Sequence, residues 1–281
     1  MRGVNGYVYL EAIQLSPSQP PKAKVEFEIN YKTKSINKET RLLSEKANLY
    51  VESNELEQYK NGFIISEINA EDDSITFING IKLKIGEAYG DVSDDDLRRI
   101  QIRETIKSHI EKESLLYNYG IKVLSLFFID EVAKYRKYDA AGNEVNSLYG
   151  LMFEEEYKKI VDNYLRDHNN DYTNYLKNIA ASETHKGYFS IDKKGHKIDS
   201  KIKRGSDISD DENAYDLILK DKERLLSFEE KTRFIFSHSA LREGWDNPNV
   251  FQICTLRHTQ SEIQKHQEVG RGLRICVNQN G

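Results

Sequence analysis

Residues 90–130 read GDVSDDDLRRIQIRETIKSHIEKESLLYNYGIKVLSLFFID, and their pattern decides the fold class. Ser93 stands three residues before Asp96 in the manner of a capping box, and Leu97, Ile100, Ile106 and Ile110 then recur near helical spacing. A helix is predicted to open here. It runs to about Tyr119-Gly120, where a glycine closes it at no steric cost. The apolar run from Ile121 to Ile129 follows, at a length suited to a strand buried on both faces. Helix, turn and a strand of parallel type define an α/β unit.

Downstream, helices are predicted at 152–168, 171–180 and 214–229, with a polar stretch at 192–212 expected to be a mobile surface loop. The strand RFIFSHS, a turn, the strand VFQICTL and the helix SEIQKHQEV complete the pattern. Residues 91–281 therefore read as an α/β domain with a mostly parallel sheet and flanking helices. Upstream, VYLEAIQL, KVEFEINYK, GFIISEI, SITFI and IKLKI alternate as strands do, and Asn79-Gly80 between the last two is a strong hairpin signal. Residues 1–90 read as a small antiparallel β module. Its alternating Lys and Glu describe the wet face of a half-buried sheet, with a binding surface as the other reading.

With 281 residues, 38% of them hydrophobic and 31% charged, the chain has material for a real core, which argues against disorder. The net charge of -5 supplies no global basic field for nucleic acid. Residues 232–281, with six Lys+Arg against four Asp+Glu, are only slightly basic. The longest apolar run, 121–130, falls short of the roughly 20 residues of a spanning helix. The amino-terminal residues lack a secretory pattern, and the chain reads as cytosolic. Cys254 and Cys276 have no CxxC or CxxH spacing, and the seven histidines lack metal spacing, so no metal site is expected.

Two segments carry candidate chemistry. FIFSHSALREGWDNPNV sets an apolar strand before a polar turn, and loops at strand ends are where open α/β sheets bind ligands. Gly244 permits close backbone approach, Ser239 offers a hydroxyl, and Arg242 offers a phosphate-binding fork. Read alone, Asp-Asn-Pro-Asn is equally a tight turn with Asx chemistry. SEIQKHQEVGRGLR has Ser261 and Gln264 in capping-box register and ends in Gly-Arg-Gly-Leu-Arg, where Gln267, Arg271 and Arg274 are expected to converge beyond the last helical turn. Guanidinium groups that never deprotonate suit charge developing on a transferring phosphoryl group. Read alone, they are better taken as an exposed helix end whose arginines complement the helix dipole.

In combination the segments say more. The order apolar strand, LREGxDxP, apolar strand, QxxGRxxR, within Leu241 to Arg274, resembles motifs V and VI of superfamily 2 helicases. SALREGWDNPNVFQICTL, RRIQIRETIKSHIEKE followed by GIKVLSLFFIDEVAKYRKYD, and QEVGRGLR are similar to the restriction (Res) subunit of type III restriction-modification enzymes. The likeness covers about 91–281 well and 1–90 loosely. It implies a DNA translocase of two RecA-like domains with ATP and Mg²⁺ in the cleft between them, of which this chain carries the second. By that resemblance Arg271 and Arg274 are arginine fingers supported by Gln267, while Gly244, Asp246 and Gly270 border the nucleotide. Ser239, Arg242 and, around motif IV, Ser125 contact DNA. The implied partners are double-stranded DNA, the Mod methyltransferase subunit, an amino-terminal RecA-like domain and a carboxyl-terminal nuclease, in the bacterial cytoplasm.

The departures bound this reading. No GxxxxGK[ST] is present, so the chain is not expected to hydrolyse ATP alone. Asp130-Glu131 at the end of an apolar strand imitates a Walker B pair, but no phosphate loop precedes it. No nuclease constellation is evident. The alternatives are a non-catalytic module docking DNA or Mod, and a superfamily 2 helicase outside restriction.

Overall fold

The computed structural model describes residues 6–31, 35–191, 197–198, 222–238 and 249–256. The chain divides into two compact units, 1–97 and 98–281, while the change of sequence character lies at Gly90.

The first unit holds strands β1 (Val8–Ser16), β2 (Gln19–Asn30) and β3 (Ile36–Leu43), a single helical turn α1 (Leu49–Glu52), and strands β4 (Ile65–Asn69), β5 (Ser74–Phe77), β6 (Lys82–Lys84) and β7 (Ala88–Tyr89). They form two antiparallel sheets, ordered β3-β2-β1-β7 and β4-β5-β6. Period-2 patterning builds the core. Ala23, Val25, Phe27 and Ile29 alternate along β2 and are all buried, with Phe27 opposite Val8 and Val25 opposite Leu10. Tyr59 meets Phe27 and Phe63 edge-on, with ring centroids 6.0 and 5.6 Å away. Asn79-Gly80 makes the predicted turn, in which the Gly80 amide donates to the Phe77 carbonyl at 2.9 Å. Gly80 has φ +87°, a conformation that favours glycine. The polar edge strand β3 was not expected, because INKETRLL carries no apolar alternation. Its charges suit an edge that must not pair further.

The helix predicted from 93 is α2 (Asp94–Leu116), which begins in the first unit and continues into the second. Its capping box is present: the Asp96 amide donates to Ser93 Oγ at 3.2 Å and the Ser93 amide to Asp96 Oδ2 at 3.0 Å. Ile100, Ile106 and Ile110 are buried as the spacing requires, but Leu97 is 44% exposed, so the inward stripe starts one turn later.

Beyond α2 come β8 (Leu124–Ile129), α3 (Val132–Tyr135), a hairpin of β9 (Arg136–Tyr138) and β10 (Glu144–Asn146), α4 (Leu148–Asp167), α5 (Asp171–Leu176), β11 (His185–Tyr188), the paired β12 (Ser190–Ile191) and β13 (Lys197–Ile198), α6 (Lys222–Leu226), β14 (Phe234–Ser237) and β15 (Val250–Leu256). Four strands form a parallel sheet in the order β11-β14-β8-β15. The fold is mixed α/β, consistent with a RecA-like domain. Every residue of β8 is buried, as its run of apolar residues broken only by Ser125 demands. Phe127 and Ile129 face Ile102, Ile106 and Ile110 of α2 and Phe153 and Tyr157 of α4, whereas Leu124, Leu126 and Phe128 share a separate cluster with Leu225 of α6.

Three expectations shift. The helix predicted at 171–180 ends at Leu176, and of 214–229 the described helical part is Lys222–Leu226. Of the expected loop at 192–212, only Lys197–Ile198 falls among the described residues, paired as β13 with β12. β11 and the β9–β10 hairpin were missed, since strands of three or four residues leave almost no periodicity to read.

His185 opens β11 with its side chain fully enclosed, Nδ1 sharing a hydrogen bond with the Tyr135 hydroxyl at 2.8 Å and Nε2 meeting Glu154 Oε1 at 3.1 Å. Burial lowers its pKa from 6.5 to about 4, with Arg136 adding to the effect and Glu154 opposing it. Between those values the unfolded chain binds a proton that the folded chain refuses, so stability falls as pH drops through this window. The loss approaches roughly 3 kcal/mol. Urea midpoints measured from pH 7 to pH 4 are expected to fall less steeply in His185→Gln than in the wild type; parallel profiles would remove His185 as a cause.

Candidate functional site

In a parallel sheet the carboxyl edge is where chain reversals gather polar groups, and here the ends of β8, β14 and β15 lie in one row. Ser237 of β14 pairs in register with Phe128 of β8, which pairs in turn with Thr255 of β15; Ile129 and Leu256 form the last pair. The segment carrying Ser239, Arg242, Gly244 and Asp246 leaves from β14, and the segment carrying Gln267, Gly270, Arg271 and Arg274 follows β15. Those eight positions, and Cys276, lie outside the described residues. Ser237 itself is wholly buried, and its hydroxyl has no hydrogen-bond partner among the described residues.

The edge has a built polar centre. Asp130, immediately after β8, accepts at Oδ1 from the Tyr149 hydroxyl at 3.1 Å and from the Glu131 amide at 3.0 Å. Lys134, one helical turn on, donates to Oδ2 and lies 3.2 Å from Glu131. Partial burial pushes the Asp130 pKa up, but Lys134 and Tyr149 outweigh it and hold the carboxyl below its ordinary range. Tyr149, in the first turn of α4, is 2% exposed, and its pKa is pushed up to about 12, chiefly by burial and then by the Asp130 charge. The same hydroxyl lies 3.4 Å from the Leu256 carbonyl, the last residue of β15. The Asp130-Glu131 pair that imitates a Walker B motif is thus engaged by protein groups.

Ser125 requires a correction. It lies second in β8, at the amino end of the strand, and is 0% exposed. Its hydroxyl donates to Gln252 Oε1 at 2.7 Å and meets His109 Nδ1 at 2.8 Å, which leaves it no surface for a DNA phosphate. Its neighbours form a buried ionic network that the sequence reading did not identify. His109 Nε2 lies 3.8 Å from Glu113 Oε2, which accepts from Arg233 Nε at 2.8 Å and from the Tyr172 hydroxyl at 2.7 Å. Glu113 and Arg233 are both fully buried. Burial alone would raise the Glu113 pKa, and the Arg233 guanidinium and His109 override it, so the carboxyl is held far below its usual range. The available signal was Glu113 itself, three residues past Ile110 on the inward stripe of α2. A charge on an apolar stripe calls for a buried partner.

Among the described residues no group of His, Cys, Asp and Glu is arranged to hold a metal ion, and no helix is long and apolar enough to cross a membrane. The polar groups of this centre are the Asp130 carboxylate, the Lys134 ammonium and the Tyr149 hydroxyl, the carboxylate accepting from the other two.

No family model matches the chain. Curated relatives do. The chain is 43% identical over 209 residues to the type III restriction-modification enzyme EcoP15I Res subunit of Escherichia coli, an alignment of 72% of this chain and 20% of that protein. It is 42% identical over 214 residues to the EcoPI Res subunit of Escherichia phage P1, covering 73% and 20%. It is 40% identical over 176 residues to the StyLTI Res subunit of Salmonella typhimurium, covering 57% and 16%. The chain spans about a fifth of the length of these relatives. At 40–43% identity over 57–73% of its length, this chain belongs with the Res subunits of type III restriction-modification enzymes, as a segment of one.

Proposed function

We propose that this chain is the second RecA-like half of an ATP-driven DNA translocase within a type III restriction enzyme, residues 91–281, preceded by an accessory β module at 1–90. The observation that carries the reading is one of placement. The two segments whose residues suit a phosphate and a duplex leave from the carboxyl ends of the two parallel strands that flank β8, in a chain 40–43% identical to Res subunits.

In this reading Arg271 and Arg274 reach the γ-phosphate held on the opposite domain, where their fixed forks meet charge that grows in the transition state. Gln267 supports them. Gly244, Asp246 and Gly270 border the nucleotide, with glycine letting backbone approach closely. Ser239 and Arg242 contact the DNA backbone; Ser125 does not, being buried. ATP and Mg²⁺ are held mainly by the other half, since no phosphate loop is present here. Double-stranded DNA and the Mod subunit are the partners, the nuclease belongs to the rest of the Res chain, and the assembly works in the bacterial cytoplasm.

The test is ATP hydrolysis by this chain alone and after addition of a separately produced amino-terminal RecA-like half, with and without duplex DNA. No turnover alone and DNA-stimulated turnover on mixing are expected. Robust hydrolysis by this chain alone would sink the half-motor reading and return Asp130-Glu131 to consideration as a metal-binding pair.

A further inference from the structure

We propose that Asn61 is a site of spontaneous covalent modification, at which its side-chain amide is lost to attack by the main chain. The chemistry belongs to asparagine followed by glycine. The glycine nitrogen, unshielded because no Cβ stands beside it, attacks the side-chain carbonyl carbon of the asparagine. A C–N bond closes a cyclic succinimide, the proton of that nitrogen passes to the departing group, and ammonia leaves. Water then opens the ring at either carbonyl, giving aspartate or isoaspartate. No oxidant, reductant or cofactor takes part.

Four Asn-Gly pairs occur in the chain, and two of them, Asn61-Gly62 and Asn79-Gly80, lie wholly among the described residues. Both asparagines are exposed turn residues of the first unit. The two turns are joined: the Asn79 amide donates to the Gly62 carbonyl at 3.1 Å, and Asn79 Nδ2 donates to the Asn61 carbonyl at 3.1 Å. Their side chains are held differently. Asn79 Oδ1 accepts from the Ile81 amide at 3.2 Å, so both ends of its side-chain amide are engaged, and the Gly80 nitrogen donates to the Phe77 carbonyl at 2.9 Å. Attack at Asn79 must first break these bonds. The Asn61 side chain makes no hydrogen bond among the described residues, and the Gly62 nitrogen donates only to the Lys60 carbonyl, two residues back, at 3.1 Å. So tight a turn cannot bring donor and acceptor into line, which leaves that bond weak. The fold therefore shields Asn79 and leaves Asn61 open to the reaction. The product bears on the core as well, because Asn61 stands in sequence between Tyr59 and Phe63, two buried rings with centroids 5.6 Å apart. Isoaspartate lengthens the main chain between them by one methylene.

The test incubates the folded full chain at mildly alkaline pH and follows each pair separately. Cleavage after glutamate releases residues 58–67, which hold Asn61, and residues 72–87, which hold Asn79. Mass spectrometry of each fragment reads the gain from replacing an amide by a carboxyl, and digestion in heavy-oxygen water marks any conversion that occurs during cleavage. In the folded chain, 58–67 is expected to convert on the order of 10-fold faster than 72–87, the effect of the hydrogen bonds that hold Asn79. In urea, where both turns are lost, the two fragments are expected to convert at similar rates. Asn61→Gln, whose longer side chain closes a ring far more slowly, is expected to abolish the gain in 58–67 and leave 72–87 as in wild type. Equal conversion of the two fragments in the folded chain, or faster conversion of 72–87, overturns the proposal. So does an unchanged 58–67 over a time in which the urea-unfolded chain converts, since the fold would then protect Asn61 too.

Discussion

Glu113→Ala is expected to remove about 3–5 kcal/mol of folding stability, because it strands the Arg233 guanidinium in the interior of the second unit. Both side chains are fully enclosed, and Nε of Arg233 lies 2.8 Å from Glu113 Oε2. The carboxylate also accepts from the Tyr172 hydroxyl at 2.7 Å and from the Val123 amide at 3.3 Å, so one substitution leaves three donors short of a partner. Arg233 keeps the Lys231 carbonyl at 2.7 Å and the Tyr175 hydroxyl, neither of which neutralises its charge. Urea denaturation of the wild type and Glu113→Ala measures the difference. The companion double variant, Glu113→Leu with Arg233→Met, removes both charges and is expected to recover much of the loss, since a well-packed apolar pair often matches a buried ion pair. A cost under about 1 kcal/mol for Glu113→Ala would mean that the pair contributes little and that α2 is held by its isoleucines alone.

That network also shows where sequence reasoning reaches its limit. β8 is legible because a strand buried on both faces must be apolar throughout, and Leu124–Ile129 nearly is. The start of α2 is legible because Ser93 and Asp96 satisfy one another locally, within three residues. The Asn79-Gly80 turn is legible for the same reason. The pairing of Glu113 with Arg233 spans 120 positions, and nothing local in either residue names the other. Ser125 illustrates the converse error: the resemblance to motif IV offers its hydroxyl to DNA, but its partners, His109 and Gln252, arrive from α2 and β15. At the candidate site, the segments after β14 and β15 were singled out by their resemblance to helicase motifs and lie outside the described residues, whereas the contact between Tyr149 and Asp130 emerged only from the fold. Their 3.1 Å hydrogen bond joins α4 to the end of β8, and no periodicity encodes it.

Arg271→Ala in the full-length Res subunit, assembled with Mod and duplex DNA, is expected to lower the ATPase kcat on the order of 10³-fold, the lower end of what an arginine finger supplies to phosphoryl transfer. The loss is expected in kcat with KM for ATP little changed, because an interaction formed as the phosphoryl group departs contributes to the transition state and not to ground-state binding. Arg271→Lys is the sharper variant. It keeps a positive charge near the same place but replaces a planar fork of donors with a hydrated point charge, and it is expected to recover only a small part of the loss. Full recovery by lysine would reduce the role to simple electrostatic attraction, while a kcat for Arg271→Ala within a few-fold of wild type would remove the residue from the chemistry. Duplex affinity supplies the independent control: arginines committed to ATP across the cleft leave it unchanged, whereas arginines serving as DNA contacts weaken it and flatten its dependence on salt. The two assays together therefore assign the GRGLR turn to nucleotide or to DNA whatever the fate of either variant in the other assay.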